Sequence, residues 1–179
     1  MMKTYLEFIK ESKKYTGAGC VMIDFNFENW DELLESIVED DIYEEDGKNY
    51  GLQPRPHLTL LYGILPEVTD EQILECFKGF TEDDFKIEIN GISIFDTNNN
   101  FDVVKLGVKL TQQLKEINKR LSDLPNSNQY SEYIPHITLS FIKKGKGGKY
   151  IDPDYKYNVK EIKSIIYSRP DGSEFKINL

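Results

Sequence analysis

Histidine is nearly absent from this chain, with two residues in 179. Cysteine is as scarce, and tryptophan occurs once. No HExxH, CxxC or Cys/His cluster is present, and two histidines alone are too few to hold a catalytic metal. No GxSxG marks a serine nucleophile. No apolar run approaches the ~20 residues of a membrane span. The stretch Met1-Met2-Lys3-Thr4-Tyr5 lacks the apolar core of a signal peptide. Positive charge is also short, with 22 Lys and Arg against 31 Asp and Glu, a net charge of -9. Tight binding along a long nucleic acid needs many basic contacts and is disfavoured. A small anion in a locally basic pocket remains compatible with that balance. Cys20 and Cys76 lie in apolar stretches and read as buried thiols of a cytoplasmic protein, with a disulfide between them left open.

What is present is a folded composition, 39% hydrophobic and 12% aromatic, in a length that suits one domain over residues 1–179. Both histidines sit in one phrase, spoken twice. Pro56-His57-Leu58-Thr59-Leu60 is the first copy, and Pro135-His136-Ile137-Thr138-Leu139 is the second. Eight residues of the chain are threonine. Chance places one two positions after both histidines roughly 0.2% of the time, which sets accident aside. In a β-strand, residues two apart share a face. His57 and Thr59 then point one way and Leu58 and Leu60 the other, and the second copy repeats this with His136 and Thr138.

The rest of the chain alternates helix and strand signals. Residues 3–14 read as a short helix and 20–25 as a strand. Glu28 to Asp40 has helical spacing, with Trp30, Leu33, Leu34, Ile37 and Val38 on one face. The acidic run from Asp40 to Gly47 reads as a solvated loop. Thr69 caps a helix over 71–80. Phe85–Ile89 and Ile92–Phe95 alternate as strands about an Asn90-Gly91 bend or bulge. Val103–Val108 is a strand, and Leu110–Leu121 is a helix capped by Thr111. The second His strand runs from Ile134 to Ile142. Lys143 to Lys149 is a flexible basic loop. One alternating strand lies within Tyr155–Tyr167, and Asp171-Gly172 signals a hairpin. Together these indicate an α+β fold with a duplicated antiparallel core.

Two imidazoles with an ordinary pKa near 6.5 suit metal-free acid–base chemistry, one taking a proton as the other gives one. Two threonine hydroxyls can hold the oxygens of a phosphate between them. These motifs resemble the 2H phosphoesterase superfamily, defined by paired His-x-Thr-x motifs. The resemblance implies a bilobal duplicated fold, with antiparallel sheets lining a central cleft and helices packed outside. It implies cleavage at phosphodiesters beside a ribose 2′ position, catalysed by His57, Thr59, His136 and Thr138 without metal or other cofactor.

A narrower resemblance rests on Lys14-Tyr15-Thr16-Gly17, Asp41-Ile42-Tyr43-Glu44, Tyr50-Gly51-Leu52 and Pro56-His57-Leu58-Thr59. These stretches are similar to the phage anti-CBASS nucleases, which destroy cyclic di- and trinucleotide immune signals such as cGAMP. The expected partner is then a cyclic di- or trinucleotide substrate in the host cytoplasm, with no long nucleic acid and no membrane. Tyr15 matches a base-stacking tyrosine of that family. Lys144 in the basic loop, and Arg169 and Glu174 about the Asp171-Gly172 turn, are further candidates for substrate contact. Tyr62 follows the first motif, and strand alternation puts it with Leu58 and Leu60 in the core. Two other readings stay open: an enzyme acting on RNA 2′,3′-cyclic phosphate ends, and a non-catalytic nucleotide sponge.

Overall fold

A computed structural model describes residues 17–48, 50–159 and 161–179. The expected helix over 3–14 and the candidate Tyr15 lie outside them. Among the described residues eight strands form one antiparallel sheet: β1 (Gly19–Phe25), β2 (His57–Ile64), β3 (Ile87–Phe95), β4 (Phe101–Val108), β5 (His136–Lys143), β6 (Tyr157–Val159), β7 (Ile162–Ser168) and β8 (Glu174–Ile177). Their order is β6-β3-β4-β5-β2-β1-β7-β8. The helices are α1 (Trp30–Glu35), α2 (Asp70–Cys76) and α3 (Gln112–Ser122). The α+β antiparallel architecture is the one the sequence implies, drawn as one continuous sheet.

Thr69 and Thr111 cap α2 and α3, their hydroxyls accepting from the backbone N–H of Gln72 and Leu114. α1 is shorter than its apolar spacing predicts. It ends at Glu35, and a separate turn follows at Glu39–Asp41. Val38 is consequently exposed while Ile37 stays buried. The Asn90-Gly91 step is a bulge inside β3, with the register against β4 slipping between Ile89 and Ile92.

Two expectations need correction. The strand signal in 155–167 is two strands, on opposite sides of the sheet: β6 pairs with β3, and β7 pairs with β1. The acidic run is also not simply solvated. Asp41 is buried, bonded by the Tyr150 hydroxyl at 2.6 Å and ion-paired with Lys149. Ile42 bridges to Ile142, and the Tyr43 N–H donates to the Phe141 carbonyl at 2.9 Å. This segment and Gly51–Gln53 close the edge of β5 that β2 does not cover.

The hydrophobic core is one cluster behind the sheet, drawing on Ile23, Leu58, Leu60, Phe85, Leu106, Ile117 and Ile137 among others. α3 packs on β2, where the Asn118 amide donates to the Leu60 carbonyl at 2.7 Å. α1 packs on β5. Cys20 and Cys76 are both buried free thiols.

Candidate active site

The sheet has a seam where β2 meets β5. Among the described residues, the two strands are in register at Leu58 and Ile137 alone. Each has a different neighbour on its far side: β1 for β2, β4 for β5. In antiparallel pairing, residues on either side of a matched pair face one another. His57 therefore stands across from Thr138, and Thr59 across from His136. A direct pair puts Cβ atoms about 4.5–5.5 Å apart, and the diagonal His57 to His136 is about 7–8 Å. All four side chains lie on the face opposite the core and are half-buried. The sequence phrase thus becomes a local two-fold arrangement about Leu58 and Ile137.

The symmetry extends to the backbone. The Pro56 carbonyl accepts from the Phe25 N–H of β1 at 3.2 Å, and the Pro135 carbonyl accepts from the Val108 N–H of β4 at 3.1 Å. His57 Nδ1 lies 2.9 Å from the Arg55 carbonyl, and His136 Nδ1 lies 2.7 Å from the Ile134 carbonyl. A carbonyl oxygen only accepts, so each Nδ1 carries the hydrogen. In both neutral rings the lone pair is then on Nε2. That is the tautomer a proton-transferring histidine needs.

Burial pushes both imidazoles below the usual histidine pKa. Their charged neighbours differ. For His57 the Asp24 carboxylate and the Arg55 carbonyl oppose that push, and the Arg55 guanidinium adds to it. For His136 the Ile134 carbonyl opposes it, while the Lys105 ammonium and His57 add to it.

Several groups here carried no signal in the paired motif. Asp24 is the register partner of His57 and is buried; Arg55 Nε donates to its Oδ2 at 2.7 Å. Lys105 is the register partner of Thr138. Its Nζ bonds Ser93 Oγ at 2.8 Å and lies 4.3 Å from the Phe95 ring centre. Phe95 in turn meets the His136 ring edge-on, 4.9 Å between centres. A lysine inside the apolar pattern of β4 was the available clue.

Tyr62 corrects a sequence expectation. The β1–β2 register slips between Val21 and Met22, skipping Leu60, so Leu60 and Leu61 are both buried and Tyr62 is 49% exposed. Tyr62 then pairs with Cys20, on the face that carries Met22 and Thr59. β5 slips at the equivalent place, skipping Leu139, and sets Phe141 against Val103 on the Lys105 face. The repeat is therefore longer than its first five residues: an aromatic residue five positions after each histidine is turned to the histidine face by a bulge.

The remaining candidates are placed as follows. Glu174 reaches the first motif through Arg55, at 3.1 Å. Arg169 grips both oxygens of Asp70 at 2.9 and 2.6 Å and bonds Ser173, tying the β7–β8 turn to the start of α2. It is roughly 15 Å along the strand from the level of the histidines, at the strand rise per residue. Lys144 pairs with Asp102 at 3.1 Å and donates to the Asp96 carbonyl. Eight residues beyond His136, it is about 25 Å down β5. The structure does not bring Arg169 or Lys144 to the histidines. The basic loop is pinned, because Asp102 Oδ2 also accepts from the N–H of Gly145 and Gly147 at 2.9 and 3.1 Å. Among the described residues no group of three His, Cys, Asp or Glu is placed to hold a metal ion.

Paired His-x-Thr strands, meeting about a local dyad on an open antiparallel sheet, define the 2H phosphoesterase class. The chain belongs to the 2′-5′ RNA ligase superfamily, whose family model matches residues 27–151. Its fold is similar to that of Kluyveromyces marxianus Usb1, with a TM-score of 0.56 at 5% identity, covering 91% of this chain and 98% of that one. It is equally similar to Escherichia coli LigT solved with 3′-AMP, with a TM-score of 0.56 at 16% identity over 91% and 95% of the two chains. A structure described as a phosphoesterase matches with a TM-score of 0.51 at 16% identity, over 91% and 99%. No curated protein matches the sequence.

Proposed function

We propose that this protein is a metal-independent phosphodiesterase that opens the 3′–5′ linkages of cyclic di- and trinucleotide immune signals, counteracting CBASS defence in the bacterial cytoplasm. One observation carries the chemistry: the motif strands pair at Leu58 and Ile137, which sets each histidine across from the threonine of the other copy, and a carbonyl at each Nδ1 leaves the lone pair on Nε2. A phosphate between the strands has an imidazole on either side, as in-line displacement requires. The ribose 2′-hydroxyl attacks phosphorus while one imidazole takes its proton. The P–O5′ bond breaks, the second imidazole protonates the leaving oxygen, and a 2′,3′-cyclic phosphate results. Thr59 and Thr138 hold the non-bridging oxygens. The 3′-AMP bound to LigT, on the same fold, supports a nucleotide substrate. The net charge of -9 favours a small ligand over long RNA, and the stretches similar to anti-CBASS nucleases favour a cyclic one.

The test is incubation with EDTA and three probes: cyclic dinucleotides, cyclic trinucleotides, and RNA ending in a 2′,3′-cyclic phosphate. Linear products from the cyclic species are expected. Turnover of RNA ends alone would transfer the assignment to RNA-end processing, the reading closest to the superfamily's name. Tight binding without turnover would make the protein a sponge.

A further inference from the structure

Lys105 is 7% exposed, and no carboxylate lies within ion-pair distance of it among the described residues. Its bonding is one neutral hydroxyl, Ser93 Oγ, and the face of Phe95. A buried ammonium without a counter-ion is costly, and proteins keep one where an anion completes it. Its position says which anion. Lys105 is level with Thr138, on the face that carries both histidines, and Phe95 joins it to the ring of His136. The Phe95 ring touches both groups, its centre 4.3 Å from the Lys105 ammonium and 4.9 Å from the centre of the His136 imidazole. The opposite side of the seam is built differently. There the charged group level with His57 is an acid, Asp24, one of whose oxygens (Oδ1) is buried and unbonded.

We propose that Lys105 contacts the substrate phosphate and that the placement of Lys105 beside His136 and Asp24 beside His57 divides the roles, His136 as general base and His57 as general acid. This rests on the phosphodiesterase reading above. His136 Nε2 takes the 2′-hydroxyl proton as the 2′-oxygen bonds to phosphorus. His57 Nε2–H gives its proton to O5′ as the P–O5′ bond breaks. Each ring ends in the other's starting state, and no further reactant is needed. The groups facing His136 are Lys105 on β4, His57 on β2 and the uncharged Phe95 on β3. Those facing His57 are Asp24 on β1, Arg55 on its own strand's approach, and His136. A cation beside His136 favours its neutral form, and an anion beside His57 favours its charged form.

The experiment is a proton NMR titration of the two imidazoles in the free protein, for the wild type and for Lys105→Met, Lys105→Gln and Lys105→Arg. It is paired with pH profiles of kcat/KM. His136 is expected to titrate below His57. Both neutral variants raise the His136 midpoint by roughly one pH unit and leave His57 in place, as loss of a nearby like charge requires. The arginine variant retains the wild-type midpoint. Addition of inorganic phosphate shifts the His136 resonance in the wild type and in neither neutral variant. In turnover, the acid limb of the profile moves up in the neutral variants, and KM rises at least tenfold. A His57 midpoint below that of His136, or a His136 midpoint indifferent to Lys105, overturns the proposal. A wild type that cuts none of the cyclic or RNA probes overturns the phosphodiesterase reading, while the imidazole midpoints and the phosphate response still decide the place of Lys105.

Discussion

Leu58 and Ile137 are register partners at the one place where the two histidine strands pair. Both are fully buried, and both hold their motif by its core-facing residue. The spacing of the two imidazoles is therefore set by an apolar contact behind them. Leu58→Ala removes most of a side chain from a closed site. A loss of about 2–5 kcal/mol is expected, the range for such core truncations, measured by urea unfolding. Turnover at a temperature where the variant remains folded should fall as well, because the proposed mechanism places its reacting groups at this seam.

His57→Ala and His136→Ala should each lower kcat by about 10²–10⁴, the usual contribution of a positioned acid or base. Neither side chain is in the core, so thermal midpoints should stay close to wild type. A 2′-deoxyribose at the scissile linkage should abolish cleavage by the wild type. Undiminished cleavage of that analogue, followed by chromatography of the products, would exclude 2′-hydroxyl attack.

Tyr62 and Phe141 flank the motif pair on the histidine face, and Tyr62 is the more exposed. Stacking of a base on an aromatic ring is worth about 1–3 kcal/mol. Tyr62→Ala should raise KM for a cyclic dinucleotide between severalfold and a hundredfold, with little change in kcat. Tyr62→Phe should restore it. Steady-state kinetics on both variants separates stacking from loss of the hydroxyl.

Asp102 is buried and gives a stability signal with a definite sign. Burial pushes its carboxyl up. Lys144 and the N–H groups of Gly147 and Gly145 outweigh that and hold it below the ordinary aspartate value. A depressed carboxyl stabilises the fold above its unfolded pKa, near pH 4, and that contribution is lost as pH falls through the folded value. Asp102→Asn should be less stable than wild type at pH 7, and the difference should narrow at pH 3 in urea melts. Lys144→Met should share part of the stability loss and leave KM unchanged.

The sequence displays the chemistry more clearly than the shape. Pro-His-aliphatic-Thr is legible because strand alternation places His and Thr on one face without any knowledge of partners. The caps at Thr69 and Thr111 are legible for the same reason, since they depend on neighbours three residues away. What depends on distant partners is not. Skipping one residue at Leu60 reverses the alternation behind it, and nothing in Leu60-Leu61-Tyr62 announces which residue is skipped. Asp41 reads as one more acid in a charged run until Lys149 and Tyr150 arrive from the other end of the chain. Lys105 stands out as a lysine in the apolar run of β4, but its partners on β3 and β5 appear only in the fold.

The duplicated halves are not the halves of the sequence. One comprises β1, β2, β7 and β8, and the other, β3 to β6, is threaded between them. Their helices are exchanged: α1, which precedes the first motif, lies under the strand of the second, and α3, which precedes the second, lies under the strand of the first. The molecule is in effect a domain-swapped pair fused into one chain. Neither half can peel away without taking the other's cover, so the two imidazoles are gained and lost in a single cooperative event.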